Sequence, residues 1–293
     1  MKVGFMGLGR MGSAIAGNVL KGGHDLIVYN RSPEKAAPFA DQGAVVAGSI
    51  ADACAGREVV ITMLAHDDAL ESDALAPAGI VASLPAGAIH MPMGTHGVHI
   101  MRTIGAAHAE AGQILVAAPV LGRPDVAAAG QLGIVPAGPA EAVARCQALF
   151  DVIGRRTFDG GSDPESAASI KIANNFVLGC AIEAMGEGFA LIRKYGVDPE
   201  VFYDVMTDGL FAATAYKVYG DIIAKEDYGR VGITAVLGLK DANLALAAGE
   251  AASVPLPSAN VWRDRLLGAI ARGDGDKDWA VMARDQARAS GID

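Results

Sequence analysis

The sequence predicts an α/β domain followed by an all-α domain, the two joined through a long interdomain helix. Three observations carry this prediction. Short apolar runs alternate with helical segments through the first half, as in parallel strands linked by crossover helices. A glycine triplet, Gly7-Leu8-Gly9-Arg10-Met11-Gly12, stands between the first run and the first helical segment. Past residue 160 the strand-like runs stop and only helical periodicity continues. The expected domains are 1–161 and 162–293.

Each element has a local reason. Lys2 to Met6 reads as a strand, and Arg10 to Lys21 as a helix stopped by Gly22 and Gly23. Leu26 to Tyr29, Val59 to Leu64, Ala88 to Met91, Ile114 to Ala118 and Leu132 to Pro136 read as further strands of a sheet covered on both faces. Ser162, Asp163, Pro164 and Glu165 then form a helix start: Ser162 or Asp163 can cap free N–H groups, Pro164 fits the first turn, and Glu165 suits the positive end of the dipole. From there to Lys194 nothing breaks the helix, although Gly179, Gly186 and Gly188 weaken it. About thirty residues of helix would span about 45 Å. Val201 to Met206, Thr234 to Ala248 and Leu256 to Arg272 read as later helices.

Composition narrows the function classes. A chain of 293 residues, 52% apolar, can bury two cores. The net charge of −9, with no cluster of Lys and Arg, argues against nucleic acid as a partner. No run approaches the apolar length of about 20 residues that a membrane span needs, so no membrane is expected. Cys54, Cys146 and Cys180 are scattered and odd in number, which fits small buried residues in a reducing cytoplasm rather than a disulfide framework. The opening MKVGFMGLGRMGSAIAG has a signal-like early Lys and apolar stretch, but Arg10 interrupts it and its glycines have cofactor-loop spacing. It reads as mature protein.

The glycine triplet gains weight from its strand–turn–helix context. Gly7 permits the tight turn, Gly9 lets the backbone approach a pyrophosphate, and Gly12 lets helix and strand pack closely. Leu8, Arg10 and Met11 complete the loop, and the helix N-terminus offers N–H groups to a phosphate. The second strand ends in Tyr29-Asn30-Arg31-Ser32, with Asn30 eighteen positions after Gly12. A carboxylate there would bind ribose hydroxyls and repel a 2′-phosphate. Arg31 and Ser32 instead favour one, so the expected cofactor is NADP (NADPH).

The long helix carries Lys171, Asn174 and Asn175 at i, i+3 and i+4, on one face among Ile170, Ile172, Phe176, Val177 and Leu178. Such a polar stripe is costly to bury without partners, and a cleft holding a polar ligand would supply them. A lysine in a partly dry cleft can have its pKa lowered toward neutrality and exchange a proton with a carbonyl oxygen. An exposed helix face accounts for the stripe equally well.

Read together, GLGRMG at 7–12, NRSPEKA at 30–36, ITML at 61–64, MGT at 93–95, APV–G at 118–122, KIANN at 171–175 and LKDANLAL at 239–246 decide between these readings. The chain resembles the β-hydroxyacid dehydrogenases, relatives of 3-hydroxyisobutyrate and 6-phosphogluconate dehydrogenases, over nearly its whole length. The resemblance implies a Rossmann domain plus a helical domain, assembled as a homodimer or homotetramer. It implies that Lys171 is the catalytic acid/base and that Asn175 orients the substrate; Asn174, on the same stripe, is expected to bind substrate beside it. Met63, Leu64 and Thr95 then belong to loops around the cofactor, and Lys240, followed by Asp241, closes the cleft. The implied reaction interconverts a short anionic aldehyde and its hydroxy acid.

One loop departs from the family pattern, which reads roughly DAPVSGG. Here Leu121 replaces the serine and Arg123 the second glycine. Gly122 keeps the backbone close, and Arg123 is expected to bind the anionic group of the substrate through charge-assisted hydrogen bonds. A Gly-Arg at this place is similar to the sulfolactaldehyde reductase branch, so a sulfonated aldehyde is an alternative substrate. Imine reductases share the glycine loop and the NRS segment but generally replace the lysine, so Lys171 argues against them. A nucleotide-binding sensor without catalysis is the non-enzymatic alternative. Ala65 in place of a common proline should alter loop stiffness. His96-x-x-His99 could place two imidazoles on one helical face, but no accompanying ligand pattern makes a metal site, and none is expected. Trp262 and Trp279 read as core or interface aromatics.

Overall fold

The computed structural model describes residues 1–292. The chain divides into two compact units, Met1–Lys171 and Ile172–Asp293, so the division falls within the long helix.

The first unit is built on a six-stranded, wholly parallel sheet. Its strands are β1 (Lys2–Met6), β2 (Asp25–Tyr29), β3 (Val45–Val46), β4 (Val59–Thr62), β5 (Ile89–Pro92) and β6 (Ile114–Leu115), in the spatial order β3-β2-β1-β4-β5-β6. The connecting helices are α1 (Arg10–Lys21), α2 (Ala37–Ala40), α3 (Ile50–Cys54), α4 (Asp67–Leu75), α5 (Ile80–Ser83) and α6 (Val98–Glu110). Strand residues alternate between two buried layers. Val3, Phe5, Val59 and Ile61 pack with Ile15 and Val19 of α1 on one face. Met6 and Val60 pack with Cys54, Ile80 and Leu84 on the other. The strand order reverses between β1 and β4, a crevice where doubly wound sheets bind ligands.

The expected strand at Leu132 to Pro136 does not extend this sheet. It contributes β8 (Leu132–Ile134) to a separate sheet with β7 (Val120–Leu121) and β9 (Gly154–Thr157). Between β7 and β8 lies only the segment 122–131 with α7 (Pro124–Ala128), too short for a parallel crossover, and the two strands run antiparallel. The helices α8 (Ala140–Arg145) and α9 (Gln147–Ile153) precede β9.

The long helix α10 (Pro164–Lys194) begins where the sequence predicts, with the Asp163 carboxylate accepting the Glu165 N–H at 3.0 Å. Glu165 also accepts two hydrogen bonds from Arg102, at 2.8 and 2.6 Å. By length and mean hydropathy (1.4 over 18 residues) α10 qualifies for a membrane span, although no uninterrupted apolar run of that length occurs in it. The second unit shows it used as a core helix: a side chain at Gly179 would collide with the Trp262 ring. That glycine is therefore a packing contact rather than a weakness.

The rest of the second unit is helical: α11 (Pro199–Asp208), α12 (Thr214–Ala224), α13 (Ala235–Ala251), α14 (Pro257–Ala271) and α15 (Met282–Ala289). Trp262 and Trp279 are fully buried there, edge to face with ring centres 6.0 Å apart.

A polar chain crosses the first unit inside its apolar frame. The Gln113 amide nitrogen donates to the carbonyls of Val81 and Leu84, which leaves its oxygen to accept from His108 Nδ1 at 2.6 Å. With neutral rings, His90 Nδ1 then donates to His108 Nε2 at 2.7 Å, and the Thr62 hydroxyl donates to His90 Nε2 at 3.0 Å. Burial, reinforced by the neighbouring imidazoles, holds His90 well below the usual imidazole range; burial also lowers His108, against the hydrogen bond it donates to Gln113. The unfolded chain therefore binds more protons than the native one once pH falls below about 6.5. Stability should be full above that pH and decline as pH falls toward the lowered native values. Thermal melts of wild type between pH 8 and 5 should show this decline, and His90→Phe, which cannot charge, should flatten it while costing about 1–3 kcal/mol at pH 8 through the unpaired Thr62 and His108.

Candidate functional site

The glycine loop follows directly from β1. Gly7 has φ +93°, and a side chain there would collide with the Met63 carbonyl. A side chain at Gly12 would collide with the Gly7 carbonyl. These two positions admit only glycine, and α1 is drawn close to the ends of β1 and β4. Gly9 is the N-cap of α1, with open space where a Cβ would stand. The first turn carries neither a side-chain cap nor an acidic residue, so its positive end suits an anion. Leu8 is buried, Arg10 exposed and Met11 half-buried in this loop.

Asn30 ties the loop to the segment after β2. Its side-chain oxygen accepts the Leu8 N–H at 2.8 Å, and its nitrogen donates to the Ser32 carbonyl at 3.0 Å. The amide thus organises both backbones. Arg31 is exposed, and Arg31, Ser32 and Lys35 line a cavity of about 610 Å³ together with Tyr29, Leu64 and Asp73. Burial raises the Asp73 carboxyl above its ordinary range, and the Arg31 charge opposes that rise.

Two more loops leave the same sheet edge. The Met63 N–H donates to the Met6 carbonyl and the Met93 N–H to the Thr62 carbonyl, both at 2.8 Å, so the chain stays in register as it leaves β4 and β5. Met63, Leu64 and Thr95 are half-buried there. His96 and His99 do not share a helical face, because α6 starts at Val98 with Gly97 as its N-cap. No group of three or more His, Cys, Asp or Glu among the described residues could hold a metal ion. The three cysteines are free, and burial pushes the thiols of Cys54 and Cys146 up to about 12, which leaves them inert.

Gly122 has φ +146°, with Leu132 and Val126 packed where a side chain would go, so it too must be glycine. Arg123 follows as the half-buried N-cap residue of α7. On α10, Lys171 is 9% exposed, whereas Asn174 is exposed. In the second unit Asn175 is buried and donates to Asp241 Oδ2 at 2.7 Å. The other carboxylate oxygen of Asp241 pairs with Lys240 at 2.8 Å. The sequence marks Asp241 only as the neighbour of Lys240; the lone acid in the run LKDANLAL is the signal that points to it.

A parallel sheet with a glycine loop at its switch point defines a dinucleotide-binding protein, and the comparisons agree. Residues 2–161 match the model of the NAD binding domain of 6-phosphogluconate dehydrogenase. Residues 165–285 match the NAD-binding domain of NADP-dependent 3-hydroxyisobutyrate dehydrogenase. The chain belongs to the β-hydroxyacid dehydrogenase family, whose cofactor is a nicotinamide dinucleotide. It is 40% identical to the uncharacterised oxidoreductase YfjR of Bacillus subtilis, covering 97% of this chain and 99% of that one. It is 33% identical to a 3-hydroxyisobutyrate dehydrogenase of Pseudomonas aeruginosa, covering 99% and 95%. The structure of Mycobacterium tuberculosis 3-hydroxyisobutyrate dehydrogenase with L-serine shares the fold, with a TM-score of 0.87 at 24% identity over 97% and 98% of the two chains.

Because Asn30 holds two backbones at once, Asn30→Ala should cost about 1–2 kcal/mol of stability and weaken dinucleotide binding several-fold. Calorimetric unfolding and fluorescence titration with NADPH would measure both effects.

Proposed function

We propose that this protein is an NADPH-dependent reductase of short anionic aldehydes, working reversibly on the matching hydroxy acids, with Lys171 as the acid/base. The observation that carries the reading is an amine-bearing side chain nine-tenths buried in the apolar context of α10, at the family's lysine position. Nothing in the packing of an apolar helix calls for an ammonium, and burying one is costly unless it has work or partners.

When bound, the dinucleotide supplies or accepts a hydride at the substrate carbon. In the reducing direction Lys171, as an ammonium, would give its proton to the carbonyl oxygen as negative charge gathers there, leaving a hydroxyl and a neutral amine that solvent reprotonates. In oxidation the amine would take the hydroxyl proton. Asn175, on the resemblance, and Asn174, from its place on the same stripe, are proposed to bind the substrate, and Lys240 to close the cleft as a cofactor-binding residue. The hydrogen bond from Asn175 to Asp241, beside the Asp241–Lys240 ion pair, supports this by fixing the Asn175 amide.

Preference for NADP over NAD is supported by Arg31, Ser32 and Lys35 around the cavity after β2, where an NAD-preferring site would usually place a carboxylate at Asn30. The substrate anion is assigned to Gly122 and Arg123. A sulfonated aldehyde is the second reading, favoured by the guanidinium that stands near the family's serine position. The helical unit exposes Val177, Leu191, Val205 and Leu210, apolar surface that suits a subunit interface, and we propose a homodimer or homotetramer.

A panel of succinic semialdehyde, glyoxylate, methylmalonate semialdehyde and sulfolactaldehyde with NADPH tests the reaction. Turnover is expected with at least one, and Lys171→Ala should lower kcat at least about a hundredfold while NADPH still binds. No NADPH oxidation with any of the four would favour a non-catalytic nucleotide sensor. Arg31→Asp should shift the kcat/KM ratio toward NADH by about tenfold or more, and an unchanged ratio would refute the cofactor assignment.

A further inference from the structure

The loops that leave β4 and β5 are joined by a side-chain pair, His96 and Asp67, that no family motif quoted above contains. His96 is 2% exposed, and its Nδ1 donates to Asp67 Oδ1 at 2.9 Å. Asp67 is the acceptor throughout, since its two oxygens also take the Gly97 N–H at 3.2 and 3.1 Å. Asp67 is the first residue of α4 and Gly97 the N-cap of α6. One carboxylate therefore serves the N-termini of two helices, where negative charge is favoured.

The opposite edge of the imidazole is equally constrained. A Cβ placed on Gly94 would stand 2.5 Å from His96 Nε2 and 2.5 Å from the Leu64 carbonyl oxygen. The ring thus fills the space beside both loops while Asp67 draws their following helices together. Leu64 and Thr95, the residues matched to the cofactor loops, sit on these two segments. β4 and β5 lie on the opposite side of the switch point from β2. Adenosine binds at the end of β2, so the nicotinamide half of a dinucleotide must cross the β4 and β5 edge.

We infer that His96 and Asp67 are a positioning pair that sets the spacing of these two loops and thereby the nicotinamide half of the cofactor site. The inference rests on the dinucleotide reading given above. Neither residue exchanges protons with the substrate; the pair acts through Leu64 and Thr95.

The test compares NADPH with 2′,5′-ADP, which contains only the adenosine half. Both are titrated against full-length wild type, His96→Ala, His96→Asn, Asp67→Asn, Asp67→Ala and the double alanine variant. His96→Ala should weaken NADPH about five- to thirtyfold while 2′,5′-ADP stays within about twofold. His96→Asn, whose amide can still donate to Asp67, should recover most of the loss, and the double alanine variant should bind no worse than the weaker single one. Equal weakening of both ligands would mean general loosening and would overturn the inference, as would NADPH affinity within about twofold of wild type. If His96→Ala does not fold, Asp67→Ala decides the matter by the same NADPH-against-2′,5′-ADP contrast, because it removes the acceptor that Asp67→Asn retains. A wild-type protein that binds 2′,5′-ADP and NADPH but is indifferent to every substitution removes the pair's role alone. One that binds neither ligand removes the NADP preference alone, and NADH against 5′-AMP then makes the same contrast with the same expected and overturning results.

Discussion

The first unit is organised by the approach of α1 to the ends of β1 and β4. Gly7 and Gly12 have no room for a side chain because the Met63 and Gly7 carbonyls occupy the places where one would stand. That contact brings the positive end of a twelve-residue helix to the point where the sheet changes direction. Strands on either side leave their loops along the same edge, and the Asn30 side chain fastens the β2 segment to the glycine loop, its oxygen accepting the Leu8 N–H while its nitrogen donates to the Ser32 carbonyl. A larger side chain at either glycine would push the helix from the crevice and disturb the loops beside it, even if every strand stayed paired.

Around this contact the interior is apolar, and the polar groups inside it are joined in chains. Thr62, His90, His108 and Gln113 pass a single direction of hydrogen bonding through the core to two backbone carbonyls. Asp67 gathers His96 and Gly97, and in the helical unit Asp241 gathers Asn175 and Lys240. Groups bonded in this way avoid the desolvation cost of burial and resist displacement, because moving one member leaves others unsatisfied. Thr62 ends β4 immediately before Met63, and Asp67 and His96 border the next two loops. The hydrogen-bonded polar groups therefore flank the loops proposed to face the cofactor.

Much of the fold was legible in the residues. β1, α1 and α10 lie where the glycine spacing, the stop at Gly22-Gly23 and the Asp163-Pro164-Glu165 start place them. Short helices such as α2, α3 and α5 were not legible, since four or five residues show no period. Nor was the separate sheet of β7, β8 and β9, because an apolar run looks the same whichever strand it pairs with. The glycine loop and the Lys171 stripe stood out through motif and helical spacing. The His96–Asp67 pair did not, because it joins residues 29 positions apart.

The sequence by itself determined the main strands, the first and the long helix, the glycine loop and the family, because these depend on neighbours within one or two turns of chain. Only the tertiary structure decided which polar residues meet. It assigned the Asn30 amide to two backbones, gave Asp241 its partners, turned Gly179 into a seat for Trp262, and left Asn174 exposed while Lys171 and Asn175 are buried. The physical reason is that periodicity specifies which face of an element avoids water, whereas hydrogen bonding and close packing depend on distances between elements that local sequence does not encode.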